Sequence, residues 1–180
     1  MRVIAGSARG RRLVAPDGPG TRPTTDRVRE ATFNALGSLG ALEGATVLDL
    51  FAGSGALGIE ALSRGAARCT FVDVDRSARK ALETNLATCG MAGSAVVVAS
   101  PALRYLAELE RQGARVDVAL VDPPYDFDGW EALLVALPAD LAVVETGRPI
   151  DRPDGWDCLR SKRYGRTHVT ILERAELGRM

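Results

Sequence analysis

The 180-residue chain is one domain in length and 46% apolar, a balance that fits a globular protein with a sizeable core. No apolar run approaches the ~18 residues of a membrane span, and Met1-Arg2-Val3-Ile4 opens on a strand-like pattern without a signal-peptide core, so a cytoplasmic protein is expected. Cys69, Cys89 and Cys158 lack any CxxC or Cys/His pairing, which argues against a metal site or a disulfide framework.

The zero net charge hides an asymmetry: the first thirty residues carry seven arginines against three acids, a net +4 that leaves −4 on the remainder. Arg2–Ala5 and Arg11–Ala15 read as two short strands around Gly6-Ser7-Ala8-Arg9-Gly10, a hairpin with a basic tip. Arginine pairs bidentately with phosphate, and an arginine-rich end on an acidic body reads as a nucleic-acid arm. Pro16 to Pro23 follows as a Pro/Gly linker, dividing the chain into an arm with linker (1–23) and a main domain (24–180). Thr24-Thr25-Asp26 supplies N-cap candidates for a helix to about Leu36, with Val28, Ala31, Phe33 and Leu36 as inner positions.

From Ala45 onward, strand and helix patterns alternate. The apolar runs Thr46–Leu50, Arg68–Asp73, Ala95–Ala99, Val116–Val121 and Leu141–Glu145 are strand candidates. Ala56–Arg64, Arg76–Cys89, Pro101–Gln112 and Asp128–Leu137 between them have helical spacing, with Pro101 at a first helical position and Asp128 as an N-cap. Trp156–Tyr164 and His168–Arg174 close the chain as a hairpin turning at Gly165, with the only histidine, His168, as a strand residue. Repeated βα units with short connections predict an α/β, Rossmann-like fold: a seven-stranded, mostly parallel sheet with helices on both faces and an antiparallel closing hairpin.

The first main-domain strand ends in Asp49-Leu50-Phe51-Ala52-Gly53-Ser54-Gly55-Ala56-Leu57-Gly58 and opens a helix. Glycines let backbone amides approach a ligand, and the helix N-terminus favours acceptor groups. Asp73 ends the next strand, 20 residues past Gly53, where an acid takes ribose hydroxyls. The same loop spells a dinucleotide-binding GxGxxG, so a nicotinamide or flavin cofactor has to be weighed. Against it, Asp49 would repel a pyrophosphate but welcome an ammonium, and the loop itself holds no cation. S-adenosylmethionine fits better, with Asp49 near its ammonium, Gly53 and Gly55 under its methionine moiety and Asp73 on its ribose.

The fourth strand ends in Asp122-Pro123-Pro124-Tyr125. Two prolines cannot extend a sheet ladder, so the chain leaves the sheet on a stiff path. A carboxylate, a fixed carbonyl and an aromatic face are thereby held at the carboxyl edge, where open α/β sheets bind ligands. The set suits a planar base with an exocyclic amine: Tyr125 stacks while Asp122 and the Pro123 carbonyl accept the amine protons. A DNA adenine-N6 or protein glutamine-N5 methyltransferase would use a similar tetrapeptide, and an NAD-dependent oxidoreductase or a non-catalytic RNA-binding protein are readings from other classes.

Taken together, Asp49–Gly58, Asp73 and Asp122–Tyr125 resemble the class I S-adenosylmethionine-dependent methyltransferases of the (N/D)PP(Y/F) type. More narrowly, residues 2–11, residues 22–30, Leu48–Gly58 with the following Glu60–Ala66, and Tyr164-Gly165-Arg166-Thr167 resemble the RsmD family essentially end to end. That resemblance implies methylation of the N2 of guanine 966 in 16S ribosomal RNA, in the 30S subunit or a late assembly particle, with S-adenosylmethionine as cofactor and no obligate protein partner. It implies a catalytic Asp122, Pro123, Pro124 and Tyr125. The implied cofactor set is Asp49, Phe51, Ala52, Gly53, Ser54, Gly55, Asp73, Val74, Ser100, Pro101 and Asp122. One departure is that the acid common after the third strand in such enzymes is replaced here by Ser100-Pro101, leaving adenine to a hydroxyl or a backbone group. The RNA contacts implied are Arg2, Arg9, Arg11, Arg12, Arg22, Thr24, Arg27 and Arg29, joined by Lys162, Arg163 and Arg166 on the closing hairpin.

Overall fold

The computed structural model of the chain describes residues 1–16, 25–150 and 154–175. The alternation read from Ala45 onward is real: β1 (Thr46–Leu50), α2 (Ala56–Ser63), β2 (Arg68–Val72), α3 (Arg76–Cys89), β3 (Ala95–Val98), α4 (Ala102–Gln112), β4 (Val116–Val121), α5 (Trp130–Ala136) and β5 (Ala139–Thr146) follow α1 (Asp26–Ser38), and β6 (Trp156–Tyr164) and β7 (Thr167–Arg174) close the chain. The seven strands lie in the order β3-β2-β1-β4-β5-β7-β6. The first five are parallel, and β7 runs antiparallel between β5 and β6. The order reverses between β1 and β4, and this switch point at the carboxyl edge is where an open α/β sheet leaves a crevice.

Strand alternation sorts the core into two layers. Val47, Val118, Leu120, Val143 and Ile171 face Phe33, Leu36, Ile59, Leu82 and Leu86 of α1, α2 and α3. Leu48, Leu50, Ala119, Val121 and Val144 face Leu106, Leu109, Leu133 and Leu134 of α4 and α5. Each fully buried leucine contributes roughly 1.5–3 kcal/mol, so the layers hold the strand ends in fixed register. Local signals set the helix ends. Thr25 Oγ1 accepts the Val28 amide at 3.4 Å and Asp75 Oδ1 the Ala78 amide at 2.7 Å. α4 begins one residue after Pro101, which caps it, and α5 begins after Gly129 rather than Asp128.

The N-terminal segment doubles back in the expected sense, with the Val3 amide donating to the Arg11 carbonyl and the Leu13 amide to the Met1 carbonyl, each at 3.0 Å, but its two arms are too short to be strands. Arg2 and Arg12 form one antiparallel bridge and no strands. Val3, Ala8 and Leu13 are buried, so residues 1–16 lie against the domain as a strap. The Gly6-Ser7-Ala8 turn is pinned to α2: Glu60 accepts the amides of Ile4 and Ala5 at 2.8 and 3.1 Å, and Ser63 Oγ that of Ala8 at 2.9 Å. Asn85 of α3 holds the far end, accepting from the Val14 amide at 2.8 Å and donating to its carbonyl at 3.0 Å. The predicted linker falls on residues 16–23, of which only Pro16 is described.

Candidate active site

The acid near the carboxyl end of β1 is the anomaly of a largely apolar strand. Asp49 is 1% exposed, and its Oδ2 accepts the Gly58 amide at 2.9 Å, which fixes the first turn of α2 under the loop. Burial pushes its carboxyl well above the usual range, with the Gly58 amide opposing and the charges of Asp122 and Asp73 adding to the rise. A positive charge brought beside it would favour the ionised form again. Asp73, just past β2, accepts the Gly53 amide on Oδ2 at 2.7 Å and the Asp75 amide on Oδ1 at 2.8 Å. The two acids thus brace the loop from below and from the side.

The three glycines of the loop differ in what they do. A Cβ on Gly55 would lie 2.1 Å from Leu82 Cδ1, and one on Gly58 would lie 2.3 Å from Phe71 Cε1, so both serve helix packing. Only Gly53, at φ +55°, meets nothing nearer than the Phe51 carbonyl at 3.9 Å, leaving its face open to a ligand. Phe51 itself is left-handed at φ +59°, which costs a non-glycine residue about 1–2 kcal/mol. Its ring packs edge-on to Phe127 at 5.3 Å, and Phe127 to Trp130 at 5.2 Å, which ties the loop to the segment after Asp122–Tyr125.

A cavity of about 600 Å³ joins the loop to that tetrapeptide. Its described lining includes Asp49, Phe51, Ala52, Gly53, Ser54, Asp73, Val74 and all four of Asp122, Pro123, Pro124 and Tyr125. Five acids line it, Asp49, Asp73, Asp75, Asp122 and Glu145, and no lysine or arginine does among the described residues. Such a wall suits a cationic nucleoside bearing a sulfonium and an ammonium and disfavours a pyrophosphate. Val74, 62% exposed, and Ala78 add an apolar surface beside Asp73 for a flat ring.

Three residues of the implied cofactor set do not reach this lining. Gly55 faces Leu82, while Ser100 and Pro101 lie beyond the end of the edge strand β3, two strands from the loop after β1. The structure also adds residues the motifs did not mark. Thr25, the cap of α1, and Val28 within it, Met1, Ala15 and Pro16 of the strap, and Tyr164 and Thr167 of the closing hairpin complete the wall. Glu145 is the addition with the clearest signal, since Asp49, Asp73, Asp122 and Glu145 all sit at or just past the carboxyl ends of apolar strands.

Register places these acids on one sheet face. Asp49 pairs with Leu120, Leu120 with Val143, and Val143 with Ile171 across four neighbouring strands. Two residues onward, the same face carries Asp122 and Glu145 toward the carboxyl edge, with Val169 of β7 opposite Glu145. Behind the tetrapeptide, a second cavity of about 350 Å³ is bounded by Tyr125, Phe127, Trp130, Glu145, Gly147 and Arg148. Tyr125 is 64% exposed and stands against Gly147 at the rim of both cavities.

The cations divide into three groups. Arg9, Arg11, Arg12 and Arg27 are exposed, and Arg2 is exposed with Asp26 at 3.7 Å. Lys162, Arg163 and Arg166 are exposed on the closing hairpin, with Lys162 Nζ 5.3 Å from the Tyr164 ring centre. Arg29, implied to contact RNA, is instead completely buried: its guanidinium bonds to Asp26 Oδ1 at 3.0 Å and to the Arg2 carbonyl and lies 3.8 Å from Glu60. A bare guanidinium is buried only when paired, and this one braces strap, α1 and α2. Arg22 and Thr24 lie outside the described residues.

Comparison with known proteins decides the family. The family model described as conserved hypothetical protein 95 matches residues 1–173. Ribosomal RNA small subunit methyltransferase D of Escherichia coli K12 is 41% identical over 99% of this chain and 92% of its own length. This chain belongs to the RsmD family. A solved E. coli structure described as a candidate methyltransferase, yhhF, superimposes with a TM-score of 0.83 at 40% identity over 97% of both chains. A hypothetical protein of Thermus thermophilus, TTHA0928, does so with 0.84 at 33% identity, over 96% of this chain and 99% of that one. The RsmD-family chain thus shares the α/β methyltransferase architecture from strap to closing hairpin.

Proposed function

We propose that this protein methylates small-subunit ribosomal RNA, transferring the methyl group of S-adenosylmethionine to the exocyclic N2 of a guanine, guanine 966 of 16S RNA, in the 30S subunit or a late precursor. The observation that carries the reading is the acidic cavity in which the open Gly53 loop and the Asp122–Tyr125 tetrapeptide share a wall. The relatives' names favour ribosomal RNA over DNA.

When bound, S-adenosylmethionine supplies an electrophilic methyl on a sulfonium. The chain's residues then have to bind, orient and take a proton. Asp49 meets the ammonium, Gly53 leaves room on the face that a side chain would fill, and Asp73 meets the ribose hydroxyls while Val74 and Ala78 flank the adenine. On the substrate side, Tyr125 stacks on the base, worth roughly 1–3 kcal/mol. The lone pair of guanine N2 is delocalised into the ring. Hydrogen bonds from its two N–H groups to the Asp122 carboxylate and the Pro123 carbonyl favour a pyramidal nitrogen and stabilise the positive charge that develops there. The nitrogen gains a methyl and loses one proton, and Asp122 is the acceptor already bonded to it. Because strap and hairpin residues both line the cavity, Arg9, Arg11, Arg12 and Lys162, Arg163, Arg166 would hold phosphates beside it.

The test incubates the enzyme and methyl-labelled S-adenosylmethionine with undermodified 30S subunits, naked 16S RNA or genomic DNA, and digests each product to nucleosides. N2-methylguanosine from ribosomal RNA is the expected product. N6-methyladenine in DNA would overturn the substrate reading and keep the cofactor; no transfer, with tight NAD binding, would overturn both.

A further inference from the structure

Glu145 borders both cavities although it is only 7% exposed. Val121 and Val144 are paired across β4 and β5, so Asp122, the first residue past β4, and Glu145, still within β5, stand at one level, about one strand spacing of 4.8 Å apart. A base held on Tyr125 with its amine on Asp122 therefore presents the adjoining ring position to Glu145. We propose that Glu145 reads the N1–H of the target base and so selects guanine over adenine; this rests on the guanine-N2 reading above.

The chemistry is a matter of donors and acceptors. Guanine carries N1–H directly beside its N2 amine, two donors in a row, whereas adenine and cytosine carry a bare ring nitrogen beside theirs. An ionised carboxylate only accepts, with about four lone-pair sites, so any bond it already makes leaves it able to take N1–H. Placed against a bare ring nitrogen it sets lone pair against lone pair in a nearly dry wall. Sites built around a buried hydrogen bond reject analogues that lack its partner. Asp122 alone cannot provide this discrimination, because every one of these amines satisfies it. Glu145 thus converts a pocket for amines into a pocket for guanine.

The experiment replaces one atom pattern in the substrate. 30S subunits are assembled with 16S RNA carrying either guanine or 2-aminopurine at the mapped target; the analogue keeps the N2 amine and turns N1 from donor to acceptor. The wild-type enzyme is expected to prefer guanine by about 10- to 100-fold in kcat/KM, the weight of one charge-assisted hydrogen bond. In Glu145→Gln the side-chain amide can donate to N1, and the preference is expected to shrink to within about threefold; loss of the 6-oxygen in the analogue affects both enzymes alike. Glu145→Asp, which keeps the charge and withdraws it by one methylene, is expected to fall between and covers the case in which the glutamine variant does not fold. Equal use of both bases by the wild type, or the same preference in wild type and folded variants, overturns the proposal. Identification of the wild-type product separates the two readings: any nucleoside other than N2-methylguanosine brings down the underlying one, while N2-methylguanosine with an unmoved preference brings down Glu145 alone.

Discussion

The Asp49 carboxylate accepts the backbone N–H of Gly58 at 2.9 Å from a fully buried position, nine residues away across the cofactor loop. Its proton is held more tightly in the folded chain than in the unfolded one, since burial raises its affinity. The folded state therefore binds more protons, and stability falls as pH rises from the ordinary carboxylate value of 3.8 toward the raised one, staying lower above it. Asp49→Asn keeps an acceptor for Gly58 and removes the buried charge, so it is expected to melt at a higher temperature at neutral pH and to lack this slope. A bound ammonium requires the ionised form, so affinity for S-adenosylmethionine should climb with pH through the same window in the wild type. It should be flat and at least tenfold weaker in Asp49→Asn. Calorimetry from pH 5 to 8 checks this, and parallel curves for the two proteins would remove Asp49 from the cofactor site.

The strap should be more sensitive to one glycine than to its twin. Gly6 sits at φ +81°, and a Cβ there would lie 1.6 Å from the Ser63 carbonyl oxygen; Gly10 sits at φ +83° in open space. Gly10→Ala pays only the left-handed conformation, about 1 kcal/mol. Gly6→Ala must also lift the turn from α2, and about 3 kcal/mol is expected. Because Met1, Ala15 and Pro16 of the strap line the cavity, the Gly6 variant should bind S-adenosylmethionine more weakly and be cut sooner by protease within residues 1–16. Equal behaviour of the two variants would mean that the strap does not depend on this contact.

The strands, the loop and the tetrapeptide were legible because their signals are local: apolar runs, a glycine turn and a double proline each act within a few residues. The strap and Arg29 were not. A charge on a helix reads the same whether it faces solvent or a buried carboxylate, and Glu60, which decides the matter for Arg29, stands 31 residues away. The same carboxylate holds the amides of Ile4 and Ala5, so a segment whose composition speaks of a free arm is in fact docked. For Ser100 the sequence marks a place after a strand, but only sheet order reveals that this strand, β3, is the edge, two away from the loop. Glu145 had a signal, an acid ending an apolar strand, but only the pairing of β5 with β4 gives it meaning beside Asp122.

Salt dependence distinguishes surface arginines from the buried one. Neutralising three phosphate contacts should lower the slope of log K against log salt by about two for a single-stranded target. The Arg9/Arg11/Arg12 triple alanine variant is expected to do so with little change in melting, since all three side chains are exposed. Arg29→Lys keeps the charge but loses the guanidinium fork that spans Asp26, Glu60 and the Arg2 carbonyl. It should lower the melting temperature, with a loss of about 2–3 kcal/mol, and leave the salt slope of the folded protein unchanged. A lower slope in Arg29→Lys would show that Arg29 reaches RNA after all, and an unchanged slope in the triple variant would show that the strap is not the grip.

Asp122 is half-buried at the mouth of the sheet, held by the turn that Pro123 and Pro124 impose. Its task in the proposed reaction is to accept from the attacking amine, which leaves cofactor binding to Asp49, Gly53 and Asp73. Asp122→Ala should therefore lower kcat by 100-fold or more while the affinity for S-adenosylmethionine stays within about threefold. Asp122→Asn separates orientation from charge: its carbonyl oxygen still accepts one N2–H, but it cannot take up the proton. If orientation carries most of the effect, the asparagine variant retains much of the activity that alanine loses; if proton uptake carries it, the two are equally inactive. Single-turnover rates on 30S subunits measure both, and a near-normal rate in the alanine variant would place the chemistry elsewhere in the cavity.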